Sequence, residues 1–389
     1  MWQNYKNIYH FFVAVLANIL FDWPSKKIKM VGVTGTDGKT TTVSLIYHIL
    51  KNAGYKVSML SSIEALINDK SYDTGFHVTT PSPISLQKFL KKAKDSGSEY
   101  FILEVTSHAL DQNRVWGIPF KVGVLTNISN EHLDYHGTYD EYLKTKSKLL
   151  VSSETPIINK DDKSYARVSK LLIKKSKVYI TYGTSKNAEI GLPFLKKQKI
   201  EGEFNRENFL AAIAACTALG VSDKEITNAI KSFKFPKGRL DVVYNSNFKI
   251  VIDFAHTPNA FEKVLSYLRK DTKGRLIHVF GSAGERDKIK RPEMGKISDK
   301  YSDLIILTSE DPRSEDPLEI IEQIKKGIKT KNKVQTIPDR DKAIHYAVKT
   351  AKKGDLILVT GKAHEKSMNY GKGEKHWDEY EVVKESLKI

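Results

Sequence analysis

The chain has 389 residues, of which 40% are hydrophobic and one is a cysteine, so it is too long for one ordinary core and cannot form an intramolecular disulfide bond. This composition excludes a cysteine zinc cluster and predicts two or three globular domains in a reducing cytoplasm. The net charge of +17 would attract a polyanionic substrate or an acidic membrane surface. Aromatic residues do not alternate with the basic clusters, so we expect no nucleic-acid partner.

Residues 11–21 form an apolar run close to the N-terminus. The run is shorter than the roughly 20 residues that a membrane-spanning helix needs. It also lacks the cleavage pattern of a signal peptide. We expect residues 1–27 to form a short apolar segment whose helix packs on the next domain, with weak contact between 11–21 and a membrane surface as the alternative.

A glycine-containing turn, 35–38, follows the apolar run 28–33 and precedes an apolar-periodic segment. Strand, glycine turn and helix in this order direct backbone N–H groups and a helix N-terminus at a phosphate. Lys39 would reach the terminal phosphates, and the Thr40 hydroxyl would bind Mg²⁺. The match to a Walker A loop is incomplete because Val33 stands where that motif has glycine. A tight turn with a solvated Lys39 is the alternative.

Polar residues also follow later apolar strands, where ligand sites of open α/β sheets lie. Glu104 ends one such strand, and a buried carboxylate is costly unless it is paired or bound to metal. Glu104 is therefore a candidate Mg²⁺ ligand, with a structural ion pair as the alternative. The histidines and acids of 131–137 fit a site or a surface turn, and the lysines of 144–148 fit an exposed basic face.

Strands and helical stretches alternate from residue 28 to about residue 235, and a second series of four strands starts after residue 236. These strands are 249–253, 275–280, 303–308 and 355–360, and a polar or glycine-rich turn follows each of them. The pattern predicts an α/β protein. We expect a P-loop-type ATPase domain with a mostly parallel sheet at 28–235 and a Rossmann-like α/β domain at 236–389.

Several spaced motifs occur in one order, at 35–41, 104–108, 127–137, 205–208, 238–239, 253–258, 284–288 and 311–317. With these motifs the chain resembles the Mur ligases, and most closely the UDP-N-acetylmuramoyl-tripeptide synthetases (MurE), from about residue 28 to the C-terminus. Each motif alone is a weak signal, but their order and spacing together are specific.

The resemblance implies an ATP-dependent, ADP-forming ligase of cell-wall peptidoglycan precursor synthesis. In that family ATP phosphorylates the terminal carboxylate of a muramoyl-L-Ala-D-Glu acceptor, and the amine of a diamino acid then displaces the phosphate. The implied cofactors are ATP, Mg²⁺ and a carbamate on Lys146. The implied partners are these small molecules, and the implied C-terminal domain binds the amino acid. Separately, we expect a cytoplasmic monomer.

The resemblance also assigns site residues. The implied ATP-binding residues are Gly35, Thr36, Asp37, Gly38, Lys39, Thr40, Thr41, Asn208, Arg239 and Asp253. The implied metal ligands are Thr40, Glu104, His132 and carbamylated Lys146, and the implied catalytic residues are Lys39, His132 and Lys146. The implied acceptor-binding residues are Thr79, Thr80, Thr106, Gln112 and Arg114. The implied amino-acid-binding residues are Arg286, Asp311, Arg313, Gly361 and Glu365.

The sequence departs from the family at several of these positions. Asp37 replaces an asparagine and Thr106 a serine. Asp311 stands where members that add meso-diaminopimelate usually carry asparagine, and a carboxylate there favours the simple side-chain ammonium of L-lysine. Arg313 favours diaminopimelate, because it could pair with the distal carboxylate. Between these two diamino acids we expect L-lysine.

Only 27 residues precede the expected ATPase domain, where the family has a domain that binds the uridine nucleotide. We therefore expect either that another protein binds the UDP group of the acceptor or that the acceptor has a different muramoyl carrier, such as a lipid-linked one. Two other functions compete. A folylpolyglutamate synthase-like ligase is disfavoured by the turn 311–313, and a nucleotide-binding regulator without turnover is disfavoured by intact Lys39, Glu104 and Lys146.

Overall fold

The structure, a computed structural model, describes residues 2–72, 79–129, 131–195, 200 and 202–388. It divides into two compact units, Met1–Lys234 and Phe235–Ile389. Each unit has its own β-sheet and its own hydrophobic core. The lysine cluster at 196–199 lies outside the described residues.

The strands of the first unit are β1 (Lys29–Thr34), β2 (Val57–Leu60), β3 (Ala65–Ile67), β4 (Lys70–Tyr72), β5 (Tyr100–Glu104), β6 (Phe120–Leu125), β7 (Thr155–Asn159) and β8 (Ile180–Tyr182). The helices are α1 (Trp2–Leu20), α2 (Lys39–Asn52), α3 (Pro83–Asp95), α4 (Ser107–Asp111), α5 (Leu133–His136), α6 (Tyr139–Ser152), α7 (Tyr165–Lys174), α8 (Glu203–Ala218) and α9 (Asp223–Ser232). Short 3₁₀ turns occupy Pro24–Lys27 and Leu192–Leu195.

The strand order of this sheet is β4-β3-β2-β5-β1-β6-β7-β8. Strand β3 is antiparallel to both β2 and β4, and the other described pairs are parallel. Helices α2 and α8 cover one face and α3 the other, so β1 and β5 are buried on both faces and form the continuous apolar runs typical of parallel sheets. Val33 pairs with Glu104 and Thr34 with Leu125, so β1, β5 and β6 end side by side.

Helix α1 contains the N-terminal apolar run and packs on the first unit through one face. The buried Asn18 side chain donates to the Trp116 carbonyl at 3.0 Å and accepts from Gln87 of α3 at 3.2 Å. The opposite face exposes large apolar side chains at Ile8, Tyr9, Phe12, Leu16, Ile19 and Leu20. Among the described residues, no helix has the length and apolar character needed to cross a membrane.

The strands of the second unit are β9 (Asp241–Asn245), β10 (Lys249–Asp253), β11 (Leu276–Phe280), β12 (Leu304–Leu307), β13 (Val334–Thr336), β14 (Leu356–Thr360), β15 (Ser367–Asn369) and β16 (Glu374–His376). The helices are α10 (Pro258–Asp271), α11 (Lys290–Tyr301), α12 (Pro317–Lys325), α13 (Arg340–Thr350) and α14 (Glu379–Ser386), with a 3₁₀ turn at Lys331–Lys333. The main sheet has the order β13-β12-β11-β14-β10-β9, in which β9 is antiparallel to β10, and β15 and β16 form a separate antiparallel pair.

Charged side chains lie inside the second unit, next to the end of β14. Arg340 and Glu379 are fully buried and form an ion pair at 2.7 Å, and Arg340 also donates to the Thr360 carbonyl at 2.7 Å. Removal of one partner of such a pair would leave an uncompensated buried charge. The pair therefore fixes α13 and α14 to the carboxyl end of β14.

Glu310 is a second buried acid, and it follows β12 in the chain. A Cβ atom added at Gly361 would lie 2.2 Å from its Oε2, so the carboxyl group occupies the space that a side chain at 361 would need. Burial raises the pKa of Glu310 to about 7, and Asp311 adds to this effect, whereas Arg340, Lys290 and Lys362 oppose it.

We expect the stability of the second unit to fall as Glu310 ionises. Its pKa rises from 4.5 in the unfolded chain to about 7 in the folded state, so the folded state binds the proton more tightly. The free energy of unfolding is then highest below pH 4.5, and it falls by about 3 kcal/mol as the pH rises from 4.5 through about 7. In Glu310→Gln the side chain stays neutral, so the variant should gain stability relative to the wild type between these pH values.

Urea unfolding of both proteins from pH 4.5 to pH 8 measures this difference. The control is Glu319→Gln, a change at an exposed glutamate of α12. If Glu310→Gln and the wild type had parallel pH profiles of unfolding free energy, the prediction would be wrong.

Candidate active site

The turn after β1 is fixed by residues at the end of the neighbouring strand β6. The Thr126 hydroxyl donates to the Asp37 carbonyl at 2.7 Å, and Asn127 accepts from the backbone N–H of Asp37 through its side chain at 3.0 Å. Gly35 has a φ of 149°, and a Cβ atom added there would lie 1.8 Å from the Thr126 hydroxyl oxygen. A side chain at 35 would therefore displace the loop.

This loop leads directly into α2. Lys39 begins the helix, and its Nζ donates to the Thr36 carbonyl at 2.8 Å, so the ammonium lies over the loop. Gly38 has a φ of 82° and lies so close to Asn208 of α8 that an added Cβ atom would be 2.1 Å from its Oδ1. The loop, Lys39 and Asn208 thus lie together, with the N-terminus of α2 directed at the loop as an anion site requires.

Glu104 and Thr40 form a cluster of oxygen atoms beside the loop. The Thr40 hydroxyl and the backbone N–H of Ser62 each donate to Oε2 of Glu104, both at 3.0 Å. The hydroxyls of Thr40 and Ser62 are themselves 3.0 Å apart. Among the described residues Glu104 has no ion-pair partner, which disfavours the structural alternative. Carboxylate and hydroxyl oxygens are the ligands that Mg²⁺ prefers.

Lys146 is buried, whereas Lys144 and Lys148 on the same helix α6 are exposed. Its Nζ donates to the Gly35 carbonyl of the loop at 2.7 Å. Burial and the nearby charge of Lys39 hold the pKa of Lys146 well below its ordinary value, although Asp37, Glu131 and Glu104 oppose the shift. The alternative of an exposed basic face does not hold for Lys146, because Leu143 and Leu150 place it on the buried face of the helix.

His132 precedes α5 and has a left-handed backbone, with a φ of 56°. Tyr142 lies between His132 and the loop. Its ring centroid is 6.2 Å from that of His132 and 4.6 Å from Nζ of Lys146, and its hydroxyl is 3.2 Å from that of Thr36. The structure therefore brings His132, Lys146 and the loop to one place. Among the described residues, no group of three or more His, Cys, Asp or Glu side chains could hold a metal ion.

The expected acceptor-binding residues form a hydrogen-bonded set beside Glu104. The Thr80 hydroxyl donates to the Glu104 carbonyl at 2.9 Å and accepts from the Thr106 N–H at 3.0 Å. Arg114 donates to the Thr80 carbonyl at 2.9 Å and to Oε1 of Gln112 at 2.6 Å. Thr79 is half-buried next to Thr80.

The second unit holds the remaining ATP-binding candidates at the end of β10. The Asp253 carboxylate accepts from the backbone N–H groups of Leu240 and Ala255, each at 2.7 Å. The Arg239 guanidinium lies 4.7 Å from the ring centroid of Phe254. Asp253 therefore holds the turn that carries Arg239.

The expected amino-acid-binding residues lie at the ends of β12 and β14. Nζ of buried Lys362 is 2.9 Å from each oxygen of Asp311 and 2.5 Å from Oε2 of Glu365. Gly284 donates from its backbone to the Asp311 carbonyl at 2.9 Å, which places the turn of exposed Arg286 beside that of Arg313.

These contacts correct the argument for L-lysine. That argument assumes that the Asp311 carboxylate is open to the ammonium of a substrate, but Lys362 already forms an ion pair with it. Lys362 directly follows Gly361 at the end of β14. Its position at a strand end is the sequence signal that could have identified Lys362 as a residue of this site. Ser62 and Tyr142 also escaped the sequence analysis, because no pattern in the sequence places them beside Glu104 and Lys146.

Comparisons with known proteins agree with this arrangement. Residues 33–216 match the family model of the Mur ligase middle domain, and residues 238–363 match that of the Mur ligase, glutamate ligase domain. The UDP-N-acetylmuramoyl-L-alanyl-D-glutamate–2,6-diaminopimelate ligase 1 of Clostridium acetobutylicum is 40% identical over 97% of this chain and 81% of its own.

Solved structures give the same result. A UDP-N-acetylmuramoyl-L-alanyl-D-glutamate–2,6-diaminopimelate ligase shares 28% identity and a TM-score of 0.61 over 93% of this chain and 78% of its own. A bifunctional folylpolyglutamate synthase/dihydrofolate synthase has a TM-score of 0.71 over 90% of each chain, but at 17% identity this likeness shows the fold alone. The chain belongs to the Mur ligase family, and its relatives are ligases of the MurE type, the UDP-N-acetylmuramoyl-tripeptide synthetases.

Proposed function

We propose that the protein is an ATP-dependent ligase of peptidoglycan precursor synthesis, which joins a diamino acid to a muramoyl-L-Ala-D-Glu acceptor. We propose further that it acts as a cytoplasmic monomer and releases ADP. The family and the activity named for its relatives support this function. One observation in the structure carries it: the amine of Lys146 is buried against the glycine loop 35–38, at the Gly35 carbonyl.

A buried amine with a lowered pKa is suited to carbamylation. Burial and Lys39 favour the neutral form of Lys146, and only a neutral amine adds CO₂. The carbamate would replace a buried cation with an anion. This change would make Lys146 a metal ligand beside the loop, where a cation could bind no metal.

The oxygen-rich surroundings of the loop fit Mg²⁺. Thr40 and Glu104 would hold one ion, and His132 with carbamylated Lys146 would hold a second. When bound, such ions neutralise the negative charge that develops on a transferring phosphoryl group. The backbone N–H groups of the loop and Lys39 would bind the ATP phosphates, with Asn208, Arg239 and Asp253 as further nucleotide contacts.

Arg114 supplies a charge for the acceptor. Its guanidinium is partly buried, and among the described residues no carboxylate lies within ion-pair distance of it. The acceptor carboxylate would attack the γ-phosphorus of ATP and expel ADP, which yields an acyl phosphate. The amine of the diamino acid would then attack the acyl carbon, lose a proton and expel phosphate. The protein binds and orients three reactants, and orientation supplies much of the rate of such reactions.

We propose 2,6-diaminopimelate as the amino acid. Because Asp311 is already paired with Lys362, Arg313 is the charged side chain of the turn 311–313 that would pair with a distal carboxylate. Both diaminopimelate ligases compared above carry this amino acid in their names. Gly361, Glu365 and Arg286 would complete the amino-acid site.

The first test is phosphate release by Lys146→Ala with ATP, Mg²⁺, acceptor and amino acid. We expect the variant to lose at least about a hundredfold in kcat, because the anionic ligand is lost. Labelling with ¹³C-bicarbonate should give a carbamate signal in the wild type and none in the variant. The matched control is Lys144→Ala, at an exposed lysine of the same helix. Full activity of Lys146→Ala would rule out the carbamate role.

The second test compares amino acids. The wild type should release phosphate faster with meso-diaminopimelate than with L-lysine, and Arg313→Ala should lower kcat/KM for diaminopimelate by about tenfold to a hundredfold while it changes the value for lysine little. Each assay is run with UDP-linked and UDP-free muramoyl-L-Ala-D-Glu. Faster turnover of L-lysine by the wild type would contradict the proposed amino acid.

A further inference from the structure

A chain of hydrogen bonds joins helix α1 to the proposed acceptor-binding residues. Asn7 of α1 donates to Oδ2 of Asp111 at 3.0 Å, and the Tyr135 hydroxyl donates to the same oxygen at 3.0 Å. The Gln112 amide donates to the Tyr135 hydroxyl at 3.2 Å, and Oε1 of Gln112 accepts from Arg114. The members of the chain come from α1, the end of α4 and α5, which are distant in sequence.

Asp111 is the charged centre of this chain. Burial opposes its ionisation, but the hydrogen bonds from Asn7 and Tyr135, with the charges of Lys148 and His136, hold the pKa of Asp111 below its ordinary value. The carboxylate is therefore a strong acceptor that fixes the direction of the Tyr135 hydroxyl. Burial, supported by Asp111, raises the pKa of Tyr135 to about 12, so the phenol keeps its proton.

The Tyr135 hydroxyl in turn fixes Gln112. An amide side chain can present either its oxygen or its nitrogen to a neighbour. Because the hydroxyl hydrogen is directed at Asp111, the hydroxyl can only accept from Gln112, which directs the amide oxygen at Arg114. Arg114 is thereby held by Gln112 and by the Thr80 carbonyl, and its partly buried charge keeps one orientation.

Tyr135 also lies on the short helix α5 that His132 precedes. The same side chain thus connects the segment of the proposed metal ligand His132 with Gln112 and Arg114. If Tyr135 had only a structural role, it would hold α1 and α5 on the first unit, and its loss would leave acceptor affinity unchanged.

We propose that Tyr135 is a positioning residue for the acceptor, which orients Gln112 and Arg114, and that Asn7 supports it through Asp111. This inference rests on the proposed ligase function. It adds to the acceptor site two helices, α1 and α5, which would act on the acceptor through Gln112 and Arg114.

The test is steady-state kinetics of Tyr135→Phe, which keeps the ring and removes the hydroxyl. We expect the KM for the muramoyl-L-Ala-D-Glu acceptor to rise about tenfold, while kcat and the KM for ATP stay within about twofold. Asn7→Ala should raise the acceptor KM in the same direction by about threefold. The matched control is Tyr139→Phe, whose hydroxyl donates to the Ile128 carbonyl outside this chain.

The outcomes separate the two proposals. A wild type without turnover on any acceptor would overturn the ligase function and this inference with it. An active wild type with an unchanged acceptor KM in Tyr135→Phe would overturn this inference alone. Equal rises in the KM for acceptor and for ATP, together with a lower melting temperature, would mean that the residues only stabilise the fold.

Discussion

The contact between the Lys146 amine and the Gly35 carbonyl is the interaction on which the proposed site depends. It places a titratable nitrogen against the loop that we propose binds the ATP phosphates, in surroundings too dry to favour an ammonium ion. The contact exists because α6 directs one of its three neighbouring lysines inward, between Leu143 and Leu150. Tyr142, one turn earlier on the same helix, covers the amine and reaches the loop through Thr36.

The order of the strands in the sheet explains why a few residues are enough to build the proposed site. Strands β5, β1 and β6 are neighbours and end at the same edge, so each delivers one polar group to the same place: Glu104 from β5, the glycine loop from β1, and Thr126 with Asn127 from β6. Ligand sites of open parallel sheets lie at this edge. The tight contact between Gly35 and Thr126 then leaves the loop little freedom. The geometry is preorganised by strand order rather than by long-range charge.

Much of the fold was predictable, because apolar runs and glycine turns are local signals. The strands at Lys29–Thr34 and Lys249–Asp253 lie within one residue of the predicted positions. The motifs also predicted the family. The sequence could not predict contacts between residues that are far apart in the chain. These are the ion pair of Lys362 with Asp311 and the hydrogen bonds of Ser62 with Glu104 and of Asn7 with Asp111. The first of these removes the basis of the expected preference for L-lysine, since a carboxylate in the sequence carries no information on the cation that pairs with it.

Helix α1 has two faces with different chemistry. The inner face includes Asn7, which donates to Asp111, and the outer face exposes a stripe of aliphatic and aromatic side chains from Ile8 to Leu20. A molecule that covers this stripe could stabilise the packed position of α1. Because coupled equilibria are thermodynamically linked, it would then also stabilise every interaction that depends on that position. With the proposed role of Asn7 and Asp111, such a molecule would act as a remote effector of acceptor affinity, and the acceptor would reciprocally promote its attachment.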